Sequence, residues 1–469
     1  MECGTNDGWG AGDCRGGVGA ASAADVRHIL RKCGMKNIIT LALAAAFTAA
    51  ASVPAHAVDI KMDGEWLYQF QTASEGFKGQ NTEYAGQRVR LGLSMTASEK
   101  LSAYAQFQVA EDDWGAADQH GTLEENPIFA RQLYLDWVIP GTDAKVRMGR
   151  HAFDMPAYVF CSPVITDYVA EGVVLDLPLA DSVGLTGFWT RAASDADSSD
   201  VNGKDFDLFG IVAKVSSGSF ETTPWAIYGS KKAGSGGDYE EQSTLAGIEA
   251  AGDMLLLGAG MEWKAFAPFT LSLDAAWGRV NYGAGEEQDD SGWYVAAGAS
   301  YALDFAEPAL KVWYASGDDK GERAQSGHLP SVFGDSDASN MFFNGAPGIV
   351  GGHRTSIGGT WGVSAQLNGL SFLQNLTHDL SVTYIGGTNH KDNAGCDIEE
   401  GAGFGYDYMT TGDSAIEFAA VNTYEIYKNL SAIAEAAYIL EDFDTSAPGR
   451  AGADFEDDWR LSLTFAYTF

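Results

Sequence analysis

The chain is poor in cations, in cysteine and in long apolar runs. Its 469 residues hold 29 Lys and Arg against 64 Asp and Glu, a formal net charge of −35. So acidic a chain has no evident basic face for phosphate contacts, and no nucleic-acid partner is expected. Beyond residue 57 no apolar stretch approaches the ~20 residues of a spanning helix, which excludes a helical membrane protein. Catalytic signatures are also missing: there is no G-x-S-x-G, H-E-x-x-H, P-loop or C-x-x-C after that point. The histidines His120, His151, His328, His353, His378 and His390 are scattered without metal-ligand spacing. No nucleophile is nominated, so neither an enzyme nor a cofactor is expected.

The N-terminal region reads as a leader. Residues 1–34 are Gly- and Ala-rich with Cys3, Cys14 and Cys33 and no apolar period. Lys36 then forms a basic start, 38–51 an apolar segment too short to span a membrane, and Ala55-His56-Ala57 a small-residue cleavage site. The expected organisation is a non-translated or leader extension over 1–34, a secretory signal over 35–57, and one domain over 58–469. The mature chain would run 412 residues (469 − 57). The leader removes 5 Lys and Arg and 4 Asp and Glu, leaving 24 against 60. In any pore that balance argues for cation preference. Export to an oxidising compartment makes a disulfide between Cys161 and Cys396 an open possibility, two free loop thiols being the other reading.

What the chain has in quantity is alternation. From Trp459 to Phe469 one parity is Trp459, Leu461, Leu463, Phe465, Tyr467 and Phe469, and the other is Arg460, Ser462, Thr464, Ala466 and Thr468. A period of two over eleven residues is a strand with one apolar and one polar face. The pattern recurs at 269–278, 293–303, 357–367 and 430–440, each as long as a tilted membrane-crossing strand of ~9–11 residues. Connections alternate between short ones near 97–100, 140–143, 180–182, 216–218, 266–268, 305–307 and 428–429 and long ones between them. One intermediate connection falls near 369–377. Aromatic residues sit beside short turns (Trp137, Phe266, Phe269, Phe305, Tyr427) and at opposite strand ends (Trp189, Trp277, Trp293, Trp459). Those are two interfacial girdles. The expected fold is all-β, a transmembrane antiparallel up-and-down β-barrel of about 18 strands, with 16 the alternative. Acidic loop runs at 195–200, 286–290 and 317–322 are solvated loops or, on a sharper reading, sites for Ca2+ or Mg2+.

The terminal strand ending in Phe469, the signal, and the segment Met148-Gly149-Arg150 resemble the Gram-negative outer-membrane porins, and among them most the homotrimeric porins of sulfate-reducing bacteria. The resemblance implies an outer-membrane homotrimer in contact with lipopolysaccharide. It also implies that Phe465, Tyr467 and Phe469 carry the signal read by the barrel-assembly machinery. The apolar, aromatic loop 152–170 would be the constriction loop, with Asp154, Asp167 and Glu171 as its acids. Facing it would stand a basic wall. Arg88 and Arg90 fall on the inward parity of their strand, and Lys145 and Arg147 on that of theirs. Arg150 adjoins them, and Arg131 lies at a strand end where strict alternation points it outward. Bases facing acids give a transverse field that favours polar solutes. The implied function is passive diffusion of small hydrophilic solutes and ions. The alternatives are a substrate-specific, sugar-type channel or a non-conducting surface structural protein or adhesin.

Overall fold

A computed structural model of the chain describes residues 58–74, 81–114, 128–194, 205–231, 252–282, 289–321, 325–393, 408–446, 450 and 455–469. The leader segments 1–34 and 35–57 lie outside the described residues, as does Cys396. Eighteen strands follow one another in chain order. They are β1 (Asp59–Ser74), β2 (Asn81–Ser98), β3 (Leu101–Asp113), β4 (Phe129–Val138), β5 (Lys145–Phe153) and β6 (Tyr168–Ala180). Next come β7 (Val183–Ser194), β8 (Asp205–Ser217), β9 (Phe220–Lys231), β10 (Gly252–Trp263), β11 (Phe269–Tyr282) and β12 (Asp290–Tyr301). The last six are β13 (Glu307–Ala315), β14 (Thr360–Leu373), β15 (Leu376–Gly387), β16 (Ser414–Tyr427), β17 (Leu430–Asp442) and β18 (Asp458–Thr468). Each pairs antiparallel with its neighbours, and β1 also pairs with β18, so the sheet closes into an 18-stranded barrel. Closure satisfies every edge, the condition for strands to cross a bilayer.

The period of two becomes two faces. On β18, Arg460, Ser462 and Thr464 are buried toward the lumen, whereas Leu461, Leu463, Tyr467 and Phe469 are exposed on the outside. On β1, Leu67 and Gln69 are buried inside while Trp66 and Phe70 face out. The two strands meet in register, Trp66 opposite Tyr467 and Tyr68 opposite Phe465. At the seam the backbones of Gly64 and Phe469 exchange hydrogen bonds of 3.0 and 3.1 Å. The ring of Phe469 lies where a Cβ on residue 64 would stand, 2.5 Å away, so only glycine fits there.

Two expectations about boundaries change. The strand expected from residue 357 begins at Thr360, and Ile357, 3% exposed, belongs to a lumenal loop. The intermediate connection near 369–377 is a tight turn at Gln374 and Asn375, the latter with φ 64°. Bulges between Leu367 and Leu373 let β14 run through Gly369, which takes φ 62°.

Candidate functional site

The wall formed by β2 to β5 carries the cations. Arg88 and Arg90 stand on consecutive inward positions of β2, facing Leu67 and Glu65 of β1. Arg88 Nη2 donates to Glu65 Oε1 at 3.1 Å, and Arg90 Nε donates to Gln108 Oε1 at 2.8 Å. On β5, Arg147 donates twice to the Asp136 carboxylate, at 2.8 and 2.9 Å, and lies 4.0 Å over the Tyr134 ring. Lys145 Nζ reaches the same carboxylate at 2.9 Å. One acid thus holds two cations, and Asp176 of β6 faces Lys145 from the next strand.

Arg131 shows how the wall is completed. Gln106 of β3 pairs with Gln132, but the next residue, Phe107, pairs with Ala130, so Arg131 is the extra residue of a β-bulge. The bulge breaks alternation and lets both Arg131 and Gln132 turn inward. Arg131 Nη1 then donates to Gln106 Oε1 at 3.0 Å, and Nη2 pairs with Asp167.

Arg150 and Glu171 are corrections. They are cross-strand partners, and Arg150 also faces Leu133, whose side chain is exposed on the outer surface. The alternation that turns Lys145, Arg147 and His151 inward sends Arg150 outward. Arg150 Nη1 donates to Glu171 at 2.9 Å, Glu171 faces Arg191 on β7, and Arg191 pairs with Asp207 at 2.9 Å. This ionic row lies one residue pair above Met148, Val173 and Trp189 on the barrel's outside, not at a constriction.

The loop between β5 and β6 packs against Asp274 of β11. Residues 152–153 and 168–170 complete strands, and 154–167 cross the lumen. Met155, Val159, Phe160, Val164 and Ile165 are buried there. Asp274 of β11 fixes it, its carboxylate accepting the backbone N–H of Tyr158 at 3.0 Å and of Val159 at 2.7 Å. Asp154 accepts the N–H of Asp167 at 2.7 Å, and Asp167, with φ 47°, presents its own carboxylate to Arg131. Cys161 in this loop is a free thiol, pushed up to about 12 by burial and by Asp337 and Asp335.

A second loop also turns inward. Residues 316–359 between β13 and β14 bury Leu329, Val332, Met341, Phe342 and Phe343. Burying each of these side chains stabilises the plug by ~1.5–3 kcal/mol. The loops join: Val332 N donates to Val164 O at 3.0 Å, Thr166 N to Phe333 O at 2.8 Å, and Cys161 N to Asp337 Oδ1 at 2.6 Å. Glu417 of β16, 1% exposed, accepts from Ser339 Oγ at 2.7 Å and from the backbone N–H of Asn340, Met341 and Phe342 at 2.7, 3.1 and 2.8 Å. Gln69 of β1 accepts from Ile349 N and, at 3.0 Å, from Val350 N. Arg460 of β18 donates to the carbonyls of Asn340 and Gly351 at 2.7 and 2.8 Å while paired to Glu435 at 2.9 Å.

The two loops therefore make one plug seated against part of the wall. Leu208, Ile227, Met254, Leu256, Val280, Ala315, Ile385 and Ile439 point inward and are wholly covered. Elsewhere the described residues leave space in the lumen. A pocket of ≈ 350 Å³ is lined by Tyr158, Glu262, Lys264, Thr270, Ser300, Glu307 and Lys311, and Lys145, Arg147 and Glu65 on the basic side reach solvent.

Of the acidic loop runs, 195–200, 286–288 and Glu322 lie outside the described residues. Asp289 pairs with Arg279, Asp290 accepts from Tyr282 OH at 2.5 Å, and Asp318 accepts from Tyr408 OH at 2.6 Å and from Gly327 N at 2.7 Å. Protein donors already use these oxygens.

No protein-family model matches the chain, and no curated protein is detectably related in sequence. Solved structures do match. OpdQ of Pseudomonas aeruginosa aligns with 13% identity over 88% of this chain and 98% of its own, with a TM-score of 0.50. OpdK of the same organism, solved with vanillate, aligns at 11% identity over the same shares, with a TM-score of 0.51. OccK8 (OprE), also from P. aeruginosa, aligns at 12% identity with a TM-score of 0.51. At such identities the likeness is one of fold: this chain is a closed 18-stranded barrel with the architecture of outer-membrane channels.

Proposed function

We propose that the barrel is a passive, solute-selective channel of a Gram-negative outer membrane, preferring small anionic hydrophilic solutes, carboxylates foremost. The observation that carries this is the group of lumenal cations Arg88 and Arg90 on β2, Arg131 on β4, and Lys145 and Arg147 on β5, opposite a plug that covers much of the other wall. A solute passing the plug is steered along guanidinium groups, which bind carboxylates in a planar, two-point fashion. The acidic total of the chain argued for cations, but selectivity is set where the path is narrow and dielectric screening is weak. That one structural neighbour is solved with vanillate, a small aromatic carboxylate, supports this reading over unselective diffusion.

The same reading assigns the outer surfaces. The row of Arg150, Glu171, Arg191 and Asp207 would meet the charged headgroups of lipopolysaccharide, and Phe465, Tyr467 and Phe469 would offer the seam strand to the barrel-assembly machinery. Three barrels would associate as a homotrimer. Planar-bilayer recording of the purified protein under a salt gradient tests the proposal. A reversal potential of anionic sign, with current reduced by added benzoate, is expected, and closures in threes would mark the trimer. A cation-selective pore indifferent to benzoate would return the chain to general diffusion. No current from folded protein would rule out a channel.

A further inference from the structure

We infer that Asp167 is a tethered competitor for the solute: it occupies, on the guanidinium of Arg131, the place that a permeating carboxylate must take. The inference rests on the channel reading above and deepens it, by naming the residue that sets how tightly an anion is held.

Four observations converge. Arg131 points into the lumen only because a bulge in β4 places it there, and its residue is 9% exposed. The side chain of Asp167 is 55% exposed, so the acid stands between the buried guanidinium and lumen water. Asp167 is aimed by its backbone: φ 47° is a left-handed conformation that few side-chain-bearing residues adopt. That strained backbone is held by Asp154, which accepts its N–H at 2.7 Å, and by Thr166 N on Phe333 O at 2.8 Å. Glu65, which meets Arg88, Gln108, which meets Arg90, and Asp136, which meets Arg147, are all residues of the wall strands. Arg131 instead takes its acid from the plug. Its remaining Nη1 contact is with neutral Gln106, at 3.0 Å, so a solute carboxylate displacing Asp167 would meet no second acid among these contacts.

A carboxylate of the chain and a carboxylate of the solute make the same charge-assisted bond, so exchanging one for the other is nearly balanced. The exchange gives a site that holds an anion without trapping it, which conduction demands.

The test uses the full mature protein in planar bilayers with sodium benzoate as the probe. Wild type is compared with Asp167→Asn, which keeps the shape and removes the charge, and with Asp167→Glu, which keeps the charge on a side chain one methylene longer. In Asp167→Asn the benzoate concentration that halves the current should fall about 2- to 5-fold, the equivalent of one partly exposed ion pair. Anion-over-cation permeability should rise with it, and Asp167→Glu should behave as wild type. If Asp167→Asn does not fold, Asp154→Ala loosens the hold on Asp167 and should lower the same concentration by a smaller factor. A conductance that grows for all ions alike with unchanged benzoate inhibition overturns the inference, because Asp167 would then be a strut, while the channel reading stands. If the wild type conducts nothing, the channel reading fails. Calorimetric titration of the same proteins with benzoate then decides: tighter binding to Asp167→Asn supports the competitor, and equal binding overturns it.

Discussion

The plugged wall and the basic wall of this barrel use charge in opposite ways. On the plugged side, Asp274 and Glu417 are carboxylates whose partners are backbone amides, so their charge is spent on holding a loop still. On the basic side, Arg88 and Arg131 pair with Glu65 and Asp167, side chains that themselves reach toward water, while Arg147 holds the buried Asp136. Buried amides have no alternative partner, whereas a half-wet ion pair exchanges readily. One side is built to stay shut and the other to let go.

The largest break in this contrast should come from Glu417→Ala. It strands three backbone N–H groups, each worth ~1–3 kcal/mol when left unsatisfied, and frees residues 339–342. Conductance should rise several-fold with noisy open states, and protease should cut within 316–359. An unchanged, protease-resistant pore would mean that Phe342 and Phe343 hold the plug by packing alone. Next in size is the pair Arg88→Ala and Arg90→Ala. It strips two lumenal cations from β2 and should move the reversal potential toward cation preference, with plug and conductance little altered. If selectivity stays anionic, Arg131 and Arg147 carry it without them.

Gly260→Leu sharpens the comparison from the other direction. A Cβ there would stand 2.6 Å from the Tyr158 ring and 2.9 Å from Asp274 Oδ1, so the plug must shift off its wall. Overpacking of this kind costs ~1–3 kcal/mol, and the displaced plug should narrow the basic passage and lower single-channel conductance. The smallest effect concerns Cys161. With its ionisation pushed up to about 12, roughly one thiol in ten thousand is ionised at pH 8. In a Cys396→Ser background, iodoacetamide should leave folded protein unlabelled, and adding Glu417→Ala should restore labelling. Rapid alkylation of the otherwise intact protein would show that the loop is not packed.

The barrel was legible in the chain because a two-faced strand needs no long-range information: the parity of β18 follows from Trp459 to Phe469 alone. The inward stance of Arg88, Arg90, Lys145 and Arg147 follows the same rule. Arg131 escaped it because a bulge is one unpaired residue with no signature in composition. Likeness to porins places Arg150 and Glu171 at the pore, whereas the alternation of β5 points Arg150 outward. The 316–359 loop carried a readable signal, Met341-Phe342-Phe343 and Ile349-Val350, of the same apolar kind that marked 152–170. Its acidic and glycine-rich flanks masked it. Which wall residues would grip the loops was not legible, because Glu417, Asp274 and Gln69 meet partners far away in the chain.

The way those three residues grip has a consequence for how such a protein can change. They hold the plug by its backbone N–H groups, which every residue except proline supplies. The side chains at positions 158, 159, 340–342, 349 and 350 are therefore not what the grip itself recognises. A lineage could alter the residues a plug presents to passing cargo while its moorings stay as they are. New cargo preferences would then arise by substitution within a fixed frame rather than by rebuilding the barrel.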